Sequence, residues 1–532
     1  KQSKAFFYLR DSRLSQTLAP GSTNAQDIET KSKLIDLKSQ ITTSVFPYRN
    51  YNSIQEFGNS VLRDWKKVLE EDFPLGETIQ DPLEAERHSH SEFMLSQQRD
   101  NELITLQQEE SLLASLSNFV YDAAPGFVVF GETGVGKTCA LAKWGHQCTT
   151  YGIGIVPHFV GATEKSTDCR GMLARLNQEV ARLAKAQTVD LADSDSSDIS
   201  DLIRKFEYTM ATYGNNLEFS NLVILIDGVD RLNYNANWLL SMKIPQKIRF
   251  VVSIGGNSST FVSAAQEKGW QSLQLNGFQD KEDRKKFTTQ YLAQQGKKFS
   301  KQQLDLIGGN NSNAILNNPQ FIKVVLDTLT VSAKFENLNY LLGDLLQHKD
   351  LCSLYEKVIS TWEDNLGTKS SSVSVVSVIL KLLYVSRYGL TESEILEILK
   401  TQFSAKELSN FQSIFIVLSS SLLAPSSSGF DSLTWKFQHQ HLEQAVFNHY
   451  FKNNQEEVLK FQKIVAFYLW EQFNLLTTNP SLAQRGKSST SVRRRLTKEL
   501  PHHLMHISET QKLKDFLLDG LLSTVKKACT EY

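Results

Sequence analysis

The residues best suited to chemistry in this sequence form a glycine-rich loop that ends in a lysine and a threonine. The segment GETGVGKT, residues 131–138, matches the pattern G-x-x-x-x-G-K-[ST]. Glycines let the backbone N–H groups of such a loop turn towards phosphate oxygens, and the following helix adds its positive N-terminal end. We therefore predict a phosphate-binding loop, in which Lys137 neutralises β/γ-phosphate charge as a catalytic residue and the Thr138 hydroxyl faces Mg²⁺. The predicted nucleotide contacts of the loop are Gly131, Glu132, Thr133, Gly134, Val135, Gly136, Lys137, Thr138 and Cys139.

A second, acidic segment supplies the partner that such a loop requires. In NLVILIDGVDRL, residues 221–232, an apolar run leads to Asp227 and then to Asp230. We assign Asp227 to Mg²⁺, and Asp230 to the orientation or deprotonation of an attacking water. A buried strand followed by two turn-forming aspartates is the alternative interpretation.

The elements that must position these residues are short apolar runs that alternate with helix-forming segments from 126 to about 276. That alternation predicts an α/β fold, with a parallel sheet and crossover helices. GFVVF, residues 126–130, precedes the loop as a buried strand, and IVPHFVGA, residues 155–162, lies between the two motif strands. The intervening strand favours the additional-strand class of P-loop NTPases, with strand order 5-1-4-3-2, over the simple kinase order.

Changes of pattern along the chain divide it into six predicted segments. They are the C-terminal part of a small α/β domain over 1–75, a helical linker over 76–118, a P-loop NTPase domain over 119–278, a helical domain over 279–368, a winged-helix domain over 369–452 and a helical segment over 453–532. The winged helix is predicted because helix, helix, helix and hairpin follow one another there, with Thr391 and Glu394 at capping-box spacing. Since the chain begins at Lys1 rather than Met, we expect it to be a piece of a longer protein.

The composition is that of an ordinary globular protein, with 41% hydrophobic and 22% charged residues in 532. A net charge of −1 argues against nucleic acid or an anionic membrane as a partner. No apolar run reaches the ~18 residues that span a bilayer. The five cysteines, at 139, 148, 169, 352 and 529, lack metal-ligand spacing, and we expect them to be reduced thiols.

Longer segments give the chain a resemblance to the STAND-class NTPases of the NACHT group, and within it to the branch of nephrocystin-3 and the telomerase-associated protein. The segments that carry the resemblance are GETGVGKTCALAKW, PHFVGATEKSTD, LVILIDGVDRL, NNPQFIKVVLDTL, GLTESEILEIL and FQHQHLEQAVFNHYF. The resemblance implies a TIR-like N-terminal domain, then NTPase, helical and winged-helix domains, and a downstream array of repeats such as tetratricopeptides or WD40 blades.

The resemblance also assigns two site residues and makes two departures visible. It implies that Pro319 packs near the adenine and that His439 contacts the β-phosphate in a closed form, with His441 as the alternative one register away. Where many relatives have a further acid, this chain has Arg231. Where they often have a Ser/Thr–Arg sensor, it has Ser253–Ile254–Gly255. Loss of a cation that would contact the γ-phosphate weakens the case for efficient hydrolysis.

Together these observations favour a nucleotide-dependent switch and assembly scaffold with slow hydrolysis. The resemblance implies that ADP holds its closed form and that ATP favours an open form. ATP or ADP with Mg²⁺ is the expected cofactor. A structural scaffold with a degenerate or permanently occupied site is the alternative, and a small-molecule kinase is a third interpretation without a recognisable second-substrate pocket. We expect protein partners bound through the repeat array, with self-assembly left open, and neither nucleic acid nor a membrane span. A cytoplasmic location, with a ciliary or cytoskeletal setting, follows from the resemblance alone.

Overall fold

The computed structural model divides the chain into two compact units, Lys1–Asp81 and Pro82–Tyr532. The residues that it describes are 6–10, 28–43, 47–72, 82–100, 107–163, 166–185, 198–214, 219, 221–256, 259–309, 313–332, 335–366, 374–421, 423–427, 433–437, 439–478 and 487–517. Among these residues no helix is both long enough and apolar enough to cross a lipid bilayer.

The described residues of the first unit form two short parallel strands and two helices. They are β1 (Phe7–Arg10), α1 (Ile28–Thr43), β2 (Tyr48–Tyr51) and α2 (Ile54–Asp72). The buried carboxylate of Asp64 in α2 accepts hydrogen bonds from Arg49 Nε at 2.8 Å and from the Tyr8 hydroxyl at 3.1 Å. The bond to the Arg49 guanidinium holds the pKa of Asp64 below its usual value. One carboxylate therefore ties α2 to both strands.

The second unit begins with two helices and continues as an alternation of strands and helices. Its elements up to residue 274 are α3 (Pro82–Asp100), α4 (Gln107–Phe119), β3 (Gly126–Phe130), α5 (Lys137–Thr150), β4 (Gly154–Phe159), α6 (Cys169–Leu183), α7 (Ile199–Tyr213), β5 (Leu222–Asp227), α8 (Trp238–Ser241), β6 (Ile248–Ile254), α9 (Ser259–Glu267) and β7 (Gln271–Gln274). A one-turn 3₁₀ helix, Val229–Arg231, follows β5.

The five strands β3 to β7 form one parallel sheet. Their order across the sheet is β4-β5-β6-β3-β7, which is 2-3-4-1-5 when the strands are numbered along the chain. Alternate residues of β5 enter two different cores, with Ile224 and Ile226 in one and Val223 and Leu225 in the other. Because both faces are covered, β5 and β6 are apolar runs without alternation. The loops after the parallel strands meet at the carboxyl edge of the sheet, which is where ligands bind in such folds.

The rest of the second unit is mostly helical. Its elements are α10 (Lys281–Gln294), α11 (Lys301–Gly308), α12 (Pro319–Ser332), α13 (Leu338–Leu345), α14 (Leu351–Leu366), α15 (Val375–Val385), β8 (Leu390–Thr391), α16 (Glu392–Lys400), α17 (Phe411–Ser421), β9 (Leu423–Ser427), β10 (Leu433–Phe437), α18 (Gln440–Tyr450), α19 (Gln455–Thr478) and α20 (Lys487–His506), with 3₁₀ turns at Ala314–Asn317, Phe335–Asn337 and Glu407–Asn410 and a last helical segment over 510–517.

A small antiparallel sheet lies within this helical region, in the order β8-β10-β9. Thr391 caps α16 in a capping box, since its hydroxyl accepts from the N–H of Glu394 and the Glu394 carboxylate accepts from the N–H of Thr391. Buried apolar side chains from Phe278 to Phe516 form one continuous core. The helical segments after the large sheet therefore pack as one body.

Candidate functional site

The predicted phosphate loop lies between the end of β3 and the first turn of α5, at the carboxyl edge of the sheet. Gly134 has a φ of 89°, a left-handed value that residues with a Cβ rarely adopt. A Cβ there would lie 2.6 Å from Gln320 Oε1 and 2.7 Å from Asn318 Oδ1. Gly136 is the N-cap residue of α5, and in the described structure no side chain caps this helix. The loop therefore presents an uncapped helix N-terminus, which is an arrangement that binds phosphate.

Lys137, the first residue of α5, folds back over this loop. Its Nζ donates hydrogen bonds to the carbonyl oxygens of Gly131 and Glu132, both at 2.8 Å. Burial lowers the pKa of Lys137, and the charges of Asp227 and Asp230 oppose that change. Because phosphate oxygens can replace the two carbonyl acceptors, the ammonium group is positioned to bind an anion held in the loop.

Asp227, at the end of β5, accepts hydrogen bonds from Thr138 and Ser253, and we call these three residues, with Asp230 and Lys137 beside them, the site cluster. Thr138 Oγ1 donates to Asp227 Oδ2 at 2.8 Å, and Ser253 Oγ donates to Asp227 Oδ1 at 2.6 Å. The Gly228 N–H donates to Ser253 Oγ at 2.8 Å. The Asp227 side chain is only 2% exposed, and a buried carboxylate needs such partners.

Asp230 is exposed at the same edge, beside the loop. Its Oδ1 accepts a hydrogen bond from the Gly255 N–H at 3.0 Å. A Cβ at Gly255 would lie 3.2 Å from Asp230 Oδ2 and 3.8 Å from Thr133 Oγ1, so these three residues are neighbours. The end of β6, where the resemblance implies an arginine, thus supplies a hydroxyl from Ser253 and a backbone amide from Gly255.

The start of α12 contacts the loop backbone directly. Asn318 Nδ2 donates to the Thr133 carbonyl at 2.8 Å, and the Gln320 N–H donates to the Gly134 carbonyl at 3.2 Å. Asn318 Oδ1 also accepts from the Gln320 N–H at 3.0 Å, which caps α12. Pro319, predicted to lie near the adenine, is the buried first residue of this helix. Asn318 and Gln320 were not predicted as contacts of the loop, although the Asn-Pro pair is a recognisable helix start.

His439 is the N-cap residue of α18, and it lies in the electrostatic field of the site. Burial lowers the pKa of His439 to about 3, and Lys323, His441 and Arg231 add to this effect. Lys323 also opposes the rise to about 11 that burial causes in the pKa of Cys139. The charge of Lys323 on α12 therefore acts on both His439 and Cys139 of the phosphate-loop helix. Lys323 was also missed, although its position one turn after Pro319 places it on the same helix face.

The remaining predicted loop residues divide by burial. Glu132 and Thr133 are exposed, whereas Val135 is buried in the core beneath the loop. Cys139 is half-buried, and the described cysteines, at 139, 148, 169 and 352, are not in disulfides. Glu132 and Thr133 are thus open to a ligand, and Val135 supports the loop from below.

The residues at the site fit a nucleotide with Mg²⁺. Thr138 and Asp227 offer a hydroxyl and a carboxylate whose oxygens lie 2.8 Å apart, and Mg²⁺ prefers such oxygen ligands together with phosphates and waters. No group of three or more His, Cys, Asp or Glu residues within the described ranges could hold a metal by itself. Mg²⁺ would therefore bind Thr138 and Asp227 in company with phosphate.

Comparison with known proteins gives matches to several parts of the chain. Residues 283–449 match the family model of the nephrocystin 3 helical domain. A TPR repeat-containing protein of Dictyostelium discoideum is 24% identical over 461 residues, covering 74% of this chain and 27% of that protein. Tetratricopeptide repeat protein 41 of Rattus norvegicus is 22% identical over 425 residues, covering 70% and 32%. NACHT domain- and WD repeat-containing protein 1 of Mus musculus is 22% identical over 441 residues, covering 74% and 27%.

The chain thus spans between 27% and 32% of the length of these relatives. Among solved structures, it is similar to a Walker-type ATPase of Pyrococcus abyssi, with a TM-score of 0.31, 11% identity and coverage of 64% of this chain and 95% of that one. It is also similar to the RuvB Holliday junction branch migration motor of Thermotoga maritima, with a TM-score of 0.28, 13% identity and coverage of 63% and 93%.

Proposed function

We propose that the chain binds ATP or ADP with Mg²⁺ at residues 131–138, and that the bound nucleotide sets the arrangement of an assembly scaffold. The observation that carries this proposal is the direct contact between the loop and α12. Asn318 Nδ2 bonds the Thr133 carbonyl at 2.8 Å, and the Gln320 N–H bonds the Gly134 carbonyl at 3.2 Å. A change in the loop on phosphate binding therefore alters contacts that hold the helical region, which is what a switch requires.

The side chains at the loop have distinct roles in this proposal. Lys137 binds phosphate oxygens, and Thr138 and Asp227 hold Mg²⁺, which neutralises phosphate charge when bound. Asp230, held by the Gly255 N–H at 3.0 Å, orients the attacking water. Hydrolysis is slow, because the end of β6 contributes Ser253 and Gly255 instead of a cation that would stabilise the charge on the γ-phosphate.

Three further features support a STAND and NACHT type of organisation. The strand order is that of the additional-strand P-loop class when read as 5-1-4-3-2. Helices α15 to α17 followed by the sheet β8-β10-β9 support a winged-helix domain over 369–452, after a helical domain over 279–368. The match of 283–449 to the nephrocystin 3 helical domain covers most of both proposed domains as one segment, and it supports the nephrocystin-like branch. We propose Pro319 and His439 as contacts of the adenine and the β-phosphate.

The names of the relatives support a proposal about the protein partners of this chain. Because two of them are named for tetratricopeptide repeats and one for WD repeats, we propose that the chain works with such repeats in recruiting protein partners. A cytoplasmic setting that includes the cilium or cytoskeleton fits the nephrocystin resemblance.

A second candidate function is a scaffold with a permanently occupied nucleotide site and no turnover. The observation that favours it is the cation next to the proposed metal carboxylate, since Arg231 Nη2 lies 3.4 Å from Asp227 Oδ2. In this alternative the nucleotide stabilises the fold and the surface serves for docking.

One experiment separates these functions. The nucleotide content of the purified chain is measured after acid extraction, beside Lys137→Ala and the control Lys268→Ala, whose lysine is exposed at the end of α9. Phosphate release is then followed under excess ATP. The switch predicts bound ADP, exchange and slow release, with Lys137→Ala weakening affinity about tenfold to a hundredfold, because hydrogen bonds to charged groups contribute ~1.5–3 kcal/mol.

Other outcomes would support the alternative function or rule out both functions. Nucleotide that neither exchanges nor turns over supports the occupied scaffold. A chain that purifies without nucleotide and binds none, or a Lys137→Ala variant that binds as tightly as Lys268→Ala, rules out both functions.

A further inference from the structure

Arg231, the cation next to Asp227, has no role in nucleotide binding as proposed above. Arg231 ends the 3₁₀ helix that follows β5, and its Nη2 lies 3.4 Å from Asp227 Oδ2. The same carboxylate oxygen accepts the Thr138 hydroxyl at 2.8 Å. The guanidinium is therefore paired with the oxygen that Thr138 and Asp227 share, which are the two residues suited to Mg²⁺.

The backbone is shaped around this guanidinium. Gly228 has a φ of 79°, and a Cβ there would lie 2.3 Å from Arg231 Nη2 and 2.5 Å from its Nε. A Cβ at Gly161, in the loop after β4, would lie 3.5 Å from Nη1. The guanidinium thus lies against Gly228, between the end of β5 and the loop after β4. A side chain at residue 228 would push it away from Asp227.

The two members of this pair differ in their access to water. The Arg231 side chain is 48% exposed, whereas the Asp227 side chain is 2% exposed. A half-exposed arginine can leave an ion pair at little cost, because exposed pairs contribute only ~0.2–1 kcal/mol. The buried carboxylate cannot leave, so the cation beside it is the part that can be exchanged.

We propose that Arg231 is a tethered counter-cation that competes with Mg²⁺ for Asp227 and so makes ADP binding less dependent on Mg²⁺. The proposal rests on the proposed function, since it concerns the same nucleotide site. Two cations next to one carboxylate attract it and repel each other, so binding of Mg²⁺ weakens the hold of Arg231. Without Mg²⁺, Arg231 still offsets the charge of Asp227, which would otherwise repel the phosphates. ADP therefore stays bound when Mg²⁺ is scarce.

The field of Arg231 reaches beyond this carboxylate. Arg231 is one of three groups that add to the effect of burial on the pKa of His439, which falls to about 3. The guanidinium thus contributes positive charge at His439, the N-cap residue of α18. This is the charge that a diphosphate without its metal needs.

The test uses the whole chain and a fluorescent analogue, mant-ADP, whose binding is titrated in EDTA and over a series of Mg²⁺ concentrations. The variants are Arg231→Gln, which removes the charge, Arg231→Lys, which keeps it, and Arg170→Gln, an exposed arginine of α6 as the matched control. We expect Arg231→Gln to weaken binding in EDTA about tenfold and to lower the Mg²⁺ midpoint about tenfold, since one nearby unit charge has effects of this size. Arg231→Lys and Arg170→Gln keep both values close to those of the unsubstituted chain.

The outcomes separate this inference from the function on which it rests. If the unsubstituted chain binds mant-ADP and Arg231→Gln leaves the Mg²⁺ midpoint unchanged, the inference is wrong and the nucleotide site stands. If the unsubstituted chain binds no mant-ADP with or without Mg²⁺, the proposed function fails and the inference with it. Thermal unfolding checks that the variants are folded. Arg231→Ala replaces Arg231→Gln if that variant does not fold.

Discussion

Among the described residues, the sheet of the second unit carries two polar clusters that differ in their exposure to solvent. The site cluster lies at the carboxyl edge around Asp227. A second one, the edge cluster of Glu86, His90, His158, Ser166 and Arg175, lies where α3 covers the outermost strand, β4. In it the Phe159 N–H donates to His90 Nδ1 at 3.1 Å, and His158 Nε2 bonds the Ser166 carbonyl at 2.8 Å. Arg175 Nη2 donates to the Pro157 carbonyl at 2.7 Å and contacts His158 Nδ1 at 3.1 Å.

The edge cluster is turned inwards, and the site cluster is open. Each histidine of the edge cluster accepts at Nδ1, so both are neutral, and burial holds their pKa values well below the usual one. At the site cluster, Asp230 is exposed and the N-terminus of α5 has no side-chain cap among the described residues. Burial of polar groups alone therefore does not identify a ligand site. Donors and charges that face open space do.

The edge cluster also includes groups that are costly to bury. Burial lowers the pKa of the Arg175 guanidinium to about 10. Its Nε and Nη1 have no hydrogen-bond partner within the described structure. A buried charge with unpaired donors costs free energy. The edge cluster therefore lowers the net stability of the contact between α3 and β4.

The largest effect that would test this contrast is expected at the contact between α12 and the loop. Asn318→Ala removes a helix cap and the bond to the Thr133 carbonyl, and we expect it to lower the free energy of unfolding by about 1–3 kcal/mol. It should also weaken ADP binding, because the Thr133 carbonyl loses its partner. Urea unfolding and mant-ADP titration measure the two effects.

Asn313→Ala is the matched control for this prediction. Asn313 Nδ2 donates to the carbonyls of Leu346 at 3.3 Å and His348 at 2.7 Å, all within the helical region. It should lose stability without losing affinity for ADP. Equal losses of affinity in the two variants would mean that the contact at Asn318 does not couple the loop to α12.

The sequence could predict those features that depend on residues close to one another along the chain. The phosphate loop and Asp227 could be predicted because glycines, a lysine and an apolar strand lie within a few residues of one another. The alternation of strands and helices predicted the parallel sheet. His90 and Phe159, by contrast, lie 69 residues apart, and nothing in either segment marks them as partners. Arg231 was visible as a departure from the family pattern, but its contact with Asp227 depends on the turn at Gly228. Such contacts are properties of the tertiary packing.

The edge cluster should lose stability at acid pH, because it contains two buried histidines. Because the pKa values of folded His90 and His158 lie below ~6.5, the folded state binds fewer protons than the unfolded state at acid pH. The stability is complete above pH ~6.5 and is lost as the pH falls, by up to ~1.4 kcal/mol per pH unit for each histidine. Hydrogen exchange of α3 and β4 at pH 7.5 and 5.5 measures this local loss.

His90→Gln sharpens this prediction, because glutamine keeps an acceptor for the Phe159 N–H and does not titrate. We expect about half of the acid-induced loss of protection to disappear, since one of the two histidines is removed. His88→Gln, at an exposed position of the same helix, is the control and should behave like the unsubstituted chain. Affinity for mant-ADP at pH 7.5 should be the same in all three proteins. If both variants keep the full acid sensitivity, the histidines of the edge cluster are not its cause.

The smallest effect is expected at His439, a partly buried histidine whose neighbours differ from those of the edge cluster. Burial, together with the charges of Lys323 and Arg231, lowers its pKa to about 3. An anion bound among these cations would raise that pKa, because opposite charge favours the protonated form. ADP binding should then take up part of a proton, so that affinity rises as the pH falls from 8 to 5.5, by less than about tenfold per pH unit.

His439→Gln and His441→Gln turn this into a choice between two residues. Titration of mant-ADP at several pH values compares each variant with the unsubstituted chain, and the titration of ADP itself cancels in that comparison. If His439 faces the diphosphate, His439→Gln removes the extra rise in affinity at low pH and His441→Gln keeps it. The reverse result would assign the contact to His441. If neither substitution changes the pH dependence, His439 has a packing role, like the histidines of the edge cluster, and does not contact the ligand.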